Sequence, residues 1–206
     1  YLPLLEKLQE LTDKAASDGS VIVDCGCGEC WYTANIYDYL EARGKATDMI
    51  GIDVSKEAVN SGASRSNKLR LAVGTVFDIP VGNETTDIVL SLFAPFSGSE
   101  YLRILKKGGF YITAFPLENH LWELKEAVYD TPYKNTVNDM EVEGFELVEY
   151  SDVHEIIKIC TNEDILALFS MTPYYYKTSE KDRNKLLSLS ALETTIHFRA
   201  ALYRKK

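Results

Sequence analysis

From Asp24 to Cys30 the chain reads D-C-G-C-G-E-C, which sets two carboxylates, two glycines and three thiols in one short stretch. Such a cluster suits a metal site, a thiol redox site, or a turn that cradles a cofactor with its backbone. Structural zinc favours Cys-x2-Cys knuckles in two pairs. Only one further cysteine, Cys160, lies elsewhere in the chain, so no metal ligands are assigned. Gly26 and Gly28 supply backbone freedom and leave out the Cβ that would hold a ligand off. Asp53 follows on the next apolar run, and a carboxylate at that point accepts hydrogen bonds from both hydroxyls of a ribose.

The elements that must position these residues are legible around them. Leu4, Leu5, Leu8, Leu11 and Ala15 recur at helical spacing, which predicts a helix over 3–17. "VIVD" predicts a strand into the turn, and "WYTANIYDYLEARG" a helix out of it that Gly44 stops. "DMIGIDVS" is a second strand, with Ser55 as N-cap of the next helix. "LRLAVGTV" and "TDIVLSLF" are the third and fourth strands, "SGSEYLRILKKGG" a helix, and "FYITAF" the fifth strand. Continuous apolar strands alternating with helices predict a parallel sheet covered on both faces. After Pro116 the rhythm changes. "HLWELKEAVY" is helical, "GFELVEYSDVHEI" a strand, "NEDILALFSM" a helix, and "LETTIHFRAALYRKK" a final strand without a crossover, hence antiparallel.

The 206 residues, 46% hydrophobic, are enough for one compact domain with a small appendage. No apolar run is long enough to cross a bilayer, and the cysteine usage fits a reducing cytoplasm. A formal net charge of −9 counts against a nucleic-acid partner, although a local basic patch can sit on an acidic body.

A dinucleotide turn sets pyrophosphate at the helix start, where an acid is unwelcome. The order D-x-G-x-G instead suits S-adenosylmethionine (SAM), whose ammonium and sulfonium are cationic and whose ribose would meet Asp53. Beyond this, "VDCGCGEC", "GIDVSKEAV", "TVFDIPV", "DIVLSLFAPF" and "LKKGGFYITAFP" follow the order of the class I SAM-dependent methyltransferases. With "ENHLWELKEAVY" and "SMTPYYYK", the chain resembles the bacterial large-subunit ribosomal RNA guanine-N1 methyltransferases. The resemblance implies a Rossmann-like α/β fold, with a seven-stranded, mostly parallel sheet whose last strand is antiparallel. It implies methyl transfer from SAM to a guanine N1 in a ribosomal RNA hairpin, and a homodimer. By motif, Tyr1, Gly28, Glu29 and His120 would contact SAM. Asp24, Gly26, Asp53 and Val54 follow from the wider class, with Thr75 and Val76 beside the adenine.

Three substitutions depart from the pattern: Cys30 for the third glycine, Thr75 for an aspartate, and Lys107 for a proline. The family also carries an N-terminal zinc-binding module ahead of its Y-x-P-L segment, and this sequence opens inside that segment at Tyr1. "FAPF" follows the fourth strand, where nucleobase methyltransferases hold the target base. Phe93 is the candidate for stacking on a flipped guanine, and Pro95 for stiffening the turn and aiming carbonyls at the base edge. Phe96 serves equally well as core. No histidine or carboxylate beside FAPF is an obvious base, which predicts catalysis by positioning alone. Two other readings fit the same motifs: a small-molecule methyltransferase, favoured by the acidity, and a non-catalytic SAM- or RNA-binding relative.

Overall fold

The computed structural model describes residues 2–137 and 139–206. Helix α1 (Leu2–Ala15) leads into strand β1 (Val21–Cys25) and helix α2 (Trp31–Ala42). Strand β2 (Asp48–Asp53), helix α3 (Lys56–Arg65), strand β3 (Arg70–Val73), strand β4 (Thr86–Leu92), helix α4 (Gly98–Ile104) and strand β5 (Leu105–Pro116) follow. The later elements are helix α5 (Trp122–Val128), strand β6 (Phe145–Ile159), helices α6 (Asn162–Ser170) and α7 (Glu180–Asn184), and strand β7 (Leu192–Lys205).

The sheet has seven strands in the order β3-β2-β1-β4-β5-β7-β6. Neighbours from β3 through β5 are parallel. Along β5 and β7 the residue numbers run in opposite senses. The Leu105 carbonyl accepts from Lys205 Nζ, while the Leu117 N–H meets the His197 carbonyl, so β7 is antiparallel as the sequence predicts. Strand order reverses between β1 and β4. At such a switch point the loops leaving the two strands diverge and open a crevice at their C-terminal ends.

The chain divides into two compact units. The first comprises 1–115, 139–151 and 199–206. Along its central strands Ile22, Val23, Ile52, Ile88, Val89, Leu90 and Ile112 are fully buried. Cys25 is one of these core residues. Beside it lies a stack of rings in which Tyr111 sits 5.3 Å from Tyr101, 5.6 Å from Tyr203 and 5.4 Å from Phe145. The α1 stripe Leu4, Leu5, Leu8 and Leu11 is buried as its spacing requires. The second unit, 116–138 and 152–198, holds α5, α6 and α7.

Two boundaries differ clearly from the sequence expectation: β3 stops at Val73, before the 74–76 end of "LRLAVGTV", and α4 stops before "LKKGG". "LKKGG" does not extend the helix: α4 stops at Ile104, and Leu105 is already extended (φ −69°, ψ 135°) and paired with Thr86. A register shift between Thr86 and Ile88 absorbs the extra residues, and Gly108 takes φ +70°. Lysine is a good helix former, but here sheet pairing overrides local propensity. Two other local signals hold. The Ser55 side chain accepts from the Ala58 N–H at 3.1 Å, and Gly44 ends α2 at φ +77°.

Candidate cofactor and base-binding site

The turn after β1 is built by its glycines. Gly26 sits at φ +83°, and a Cβ there would lie 2.5 Å from the Ala94 Cβ. Backbone thus touches the loop after β4, a closeness that only glycine permits. The N–H groups of Gly26 and Cys27 both donate to the Ile52 carbonyl, at 2.8 and 3.1 Å, which ties the turn to the end of β2. Gly28 sits at φ +54° with nothing within 4 Å of where a Cβ would stand, so that side of the turn is open.

Two carboxylates flank the turn. Asp53 Oδ2 accepts from the Gly28 N–H at 2.9 Å, and Oδ1 from the Ser55 N–H at 2.8 Å. It fixes the turn and keeps lone pairs for further donors. Asp24 is 2% exposed; Oδ2 accepts from Thr33 Oγ1 at 2.6 Å, whereas Oδ1 is buried with no partner. Burial pushes its pKa up to about 6, Thr33 works against that rise, and the Asp53 charge adds to it. An orphaned buried carboxylate oxygen beside an open glycine turn lacks a cation or a donor, and the ammonium end of SAM has that chemistry.

Around this turn the structure gathers several predicted residues. Gly74 N donates to the Asp53 carbonyl at 2.9 Å, so Thr75 and Val76 adjoin β2; Val76 is buried and Val54 exposed at the rim. Glu29 faces Arg65: Arg65 Nε donates to the Glu29 carbonyl at 3.0 Å, and the side chains pair at 3.6 Å. Cys30, in the glycine's place, is a non-glycine at φ +59°. Its thiol fits because α3 carries Gly62, where a Cβ would lie 2.6 Å from Cys30 Sγ. Cys27 is seated likewise against Gly51 at 2.9 Å. Both sulfurs are accommodated by glycines on neighbouring elements.

Phe93 is also in the left-handed region (φ +59°), where an aromatic side chain is strained, and its ring is 47% exposed. Such outliers gather where ligands bind. Its ring lies 6.3 Å from that of Tyr32 on α2. Phe96 is half core: its ring packs over Gly98 and 5.6 Å from Tyr101, with 51% of its surface exposed. The Pro95 carbonyl accepts from Tyr101 Oη at 3.2 Å, so one of its lone pairs is used inward.

His120 belongs to the second unit. Its Nδ1 accepts from the His197 N–H at 3.3 Å, and its ring lies 4.1 Å from that of Phe198. Burial, then the Lys125 charge, lowers its pKa to about 4, so the ring is neutral and its proton sits on Nε2. Tyr1 lies outside the described residues. Among the described residues no group of three or more histidines, cysteines and carboxylates is placed to hold a metal, and no helix is long and apolar enough to cross a membrane.

Sequence reasoning missed Thr33, Tyr32, Gly62 and Ala94. Thr33 and Tyr32 follow the turn on α2, one aligned with Asp24 and the other with Phe93. A reading of i+2 and i+3 positions from Cys30 would have found them. Gly62 and Ala94 meet the turn only through tertiary packing and left no sequence signal.

Residues 3–106 match the family model of a methyltransferase domain. A Bacillus subtilis protein, provisionally named a 23S rRNA (guanine-N(1)-)-methyltransferase, is 32% identical over 90% of this chain and 67% of its own length. The 23S rRNA (guanine(748)-N(1))-methyltransferase of Streptomyces fradiae is 33% identical over 62% of this chain. The chain spans 45% of that relative. Among solved structures, the YcgJ protein of Bacillus subtilis superposes with a TM-score of 0.60 at 16% identity, covering 98% of this chain and 99% of that one. Geranyl diphosphate C-methyltransferase of Streptomyces coelicolor gives 0.59 at 16% identity, covering 98% of this chain and 80% of that one. These two likenesses concern the fold. Sheet order, cofactor turn and family match agree: the chain belongs to the methyltransferase-domain family, with the class I fold and S-adenosylmethionine as its cofactor.

Proposed function

We propose that the chain transfers a methyl group from SAM to N1 of a guanine in large-subunit ribosomal RNA. The observation that carries the reading is Phe93: a half-exposed ring on a left-handed backbone at the end of β4, beside the cofactor turn. A planar, partly desolvated ring there suits an unstacked base. The names of the two relatives supply the guanine and the RNA. The rRNA substrate places the reaction in the cytoplasm, and the resemblance adds a homodimeric assembly.

SAM, when bound, supplies an electrophilic methyl on a sulfonium. Asp24 and Asp53 would hold its ammonium and ribose, Gly26, Gly28 and Glu29 shape the turn, and Val54, Thr75 and Val76 would border the adenine. Phe93 and Pro95 would hold the plane of the target base next to the turn, the positioning that methyl transfer requires. The resemblance adds His120 and Tyr1 as further cofactor contacts.

Guanine N1 carries a proton that must leave during transfer. Glu100 is poorly suited to accept it. Arg103 at 2.7 Å and the Ile79 N–H at 2.7 Å both hold its carboxylate, and its pKa lies below the usual range, with Arg103 the main cause. The Tyr32 hydroxyl, whose pKa burial pushes up to about 12, stays protonated and is a donor. It suits the negative charge that grows on guanine O6 as the N1 proton departs to water.

Labelled SAM, unmodified ribosomal RNA and a metabolite extract decide the substrate. Label is expected in one guanine of the large-subunit RNA, where reverse transcription stops because a methyl on N1 blocks Watson–Crick pairing. Label entering only the extract overturns the RNA reading, and no SAM binding overturns catalysis.

A further inference from the structure

We propose that Cys27 and Cys30 are a redox-modifiable dithiol that closes to a disulfide under hydrogen peroxide and so blocks the cofactor turn. Formation of the bridge stands on the geometry of the two cysteines; its effect on the cofactor rests on the assignment of this turn to SAM.

The Cys30 N–H donates to the Cys27 carbonyl at 2.9 Å, so the two residues are the ends of one tight turn. The Cα atoms at the ends of such a turn lie within about 7 Å, and disulfides span about 4.4–6.8 Å. The side chains converge as well. Each Sγ lies 3.8 Å from the same acceptor, the Gly28 carbonyl. The glycine notches at Gly51 and Gly62 hold both sulfurs on the inner side of the turn.

The electrostatics sort the pair into two roles. Cys30 caps α2, a 12-residue helix. The Cys27 hydrogen bond, with smaller help from Thr33 and Arg65, lowers the Cys30 pKa below the ordinary thiol value. The same bond and burial raise that of Cys27. Cys30 is buried and Cys27 partly exposed, so peroxide reaches the Cys30 thiol past Cys27; in this order Cys30 is the nucleophile and Cys27 the resolving thiol. Cys30 gives its thiol proton to solvent, its thiolate attacks one peroxide oxygen, the O–O bond breaks, and the departing hydroxide takes a proton from solvent to leave as water. Cys27 sulfur then attacks the Cys30 sulfenic acid. The S–S bond forms, the S–O bond breaks, and the hydroxyl leaves with the Cys27 proton as a second water. Two thiols are oxidised and one peroxide reduced. Cys25 takes no part: it is buried in the core with its pKa raised by burial.

The bridge encircles Gly28 and Glu29. Closure draws both sulfurs off the notches at Gly51 and Gly62 and tightens the loop whose Gly28 N–H is held by Asp53 Oδ2 at 2.9 Å.

The test treats the purified chain with hydrogen peroxide, quenches it, and reads mass and SAM affinity. A loss of two hydrogens is expected in the tryptic peptide Ala15–Arg43, retained in Cys25→Ala and abolished in both Cys27→Ser and Cys30→Ser. Calorimetry should show SAM binding at least tenfold weaker after oxidation and restored by dithiothreitol. Sulfinic acid on one cysteine without a bridge, or a bridge that includes Cys25 or Cys160, overturns the dithiol. A Cys27–Cys30 bridge with unchanged SAM affinity overturns the blocking effect. If the reduced protein itself fails to bind SAM, the cofactor assignment falls, while the mass result still decides the pairing.

Discussion

Asp24 is held in a state that costs stability. Its pKa is raised above the unfolded value, from 3.8 to about 6. Below pH 4 it is protonated whether the chain is folded or not, and no cost arises. Between pH 4 and 6 the unfolded chain ionises first and the penalty grows. Above pH 6 it is complete, at about 3 kcal/mol for two pKa units. Asp24→Asn keeps an acceptor for Thr33 and removes the buried charge. Its melting temperature at pH 7.5 is therefore expected to exceed that of the parent by several degrees, a gain that shrinks as the pH falls towards 5. SAM affinity at pH 7.5 should fall at least tenfold if Asp24 pairs with the ammonium as proposed. A melting gain that is the same at pH 5 and 7.5, or unaltered SAM affinity, would refute the role. The carboxylate was legible in D-x-G-x-G, but its orphaned oxygen was not. That depends on Thr33 reaching Oδ2 and on nothing reaching Oδ1, which no local pattern encodes. The left-handed backbone at Cys30, Phe93 and Leu121 was equally hidden, since none is a residue type that favours it.

At the scale of elements, α5 contains a lysine that a polar-outside reading would put in solvent. Lys125 is 1% exposed. Its Nζ donates to the Tyr133 carbonyl at 3.0 Å and to Asn135 Oδ1 at 2.6 Å, and it faces the rings of Tyr133 and Tyr174 at 4.5 and 5.3 Å. Asn135 Nδ2 in turn donates to the carbonyls of Leu117 and His120, at 3.0 and 3.1 Å. One ammonium thus ties α5 to the loop that follows it and, through Asn135, to the turn that carries His120. Lys125→Met keeps the packed stem but strips the donors from two acceptors and the charge from the rings. A loss of about 1–3 kcal/mol by urea unfolding is expected. Stability equal to or above the parent would mean that desolvation of the charge outweighs its bonds. The sequence predicted the helix and the tyrosines but not the cage. The alternating strands and helices up to Pro116 were readable because period and apolarity are local. "LKKGG" misled because its strand state is set by pairing with β4, a partner remote in sequence.

For the whole molecule the acidity that counted against RNA becomes a quantitative constraint. The net charge is −9, and more than half of the 22 lysines and arginines are held in ion pairs. Exposed pairs of this kind are worth little individually, so an incoming phosphate can exchange for a carboxylate. Each exchange leaves a carboxylate behind to repel the backbone, which limits the number that can occur together. Binding of an rRNA hairpin by this chain should then involve only about three phosphates, with log K falling against log salt with a slope of about −2. On the proposed reading, specificity comes from the splayed base at Phe93 instead. Phe93→Ala is expected to weaken hairpin binding by about 1–3 kcal/mol, the range for losing one stacked base, while leaving the salt slope unchanged. Filter binding of one hairpin at several salt concentrations measures both quantities. A slope steeper than about −5 would mean more phosphate contacts than this reading allows, and the RNA-contact reading of Phe93 fails if the alanine variant binds as tightly as the parent.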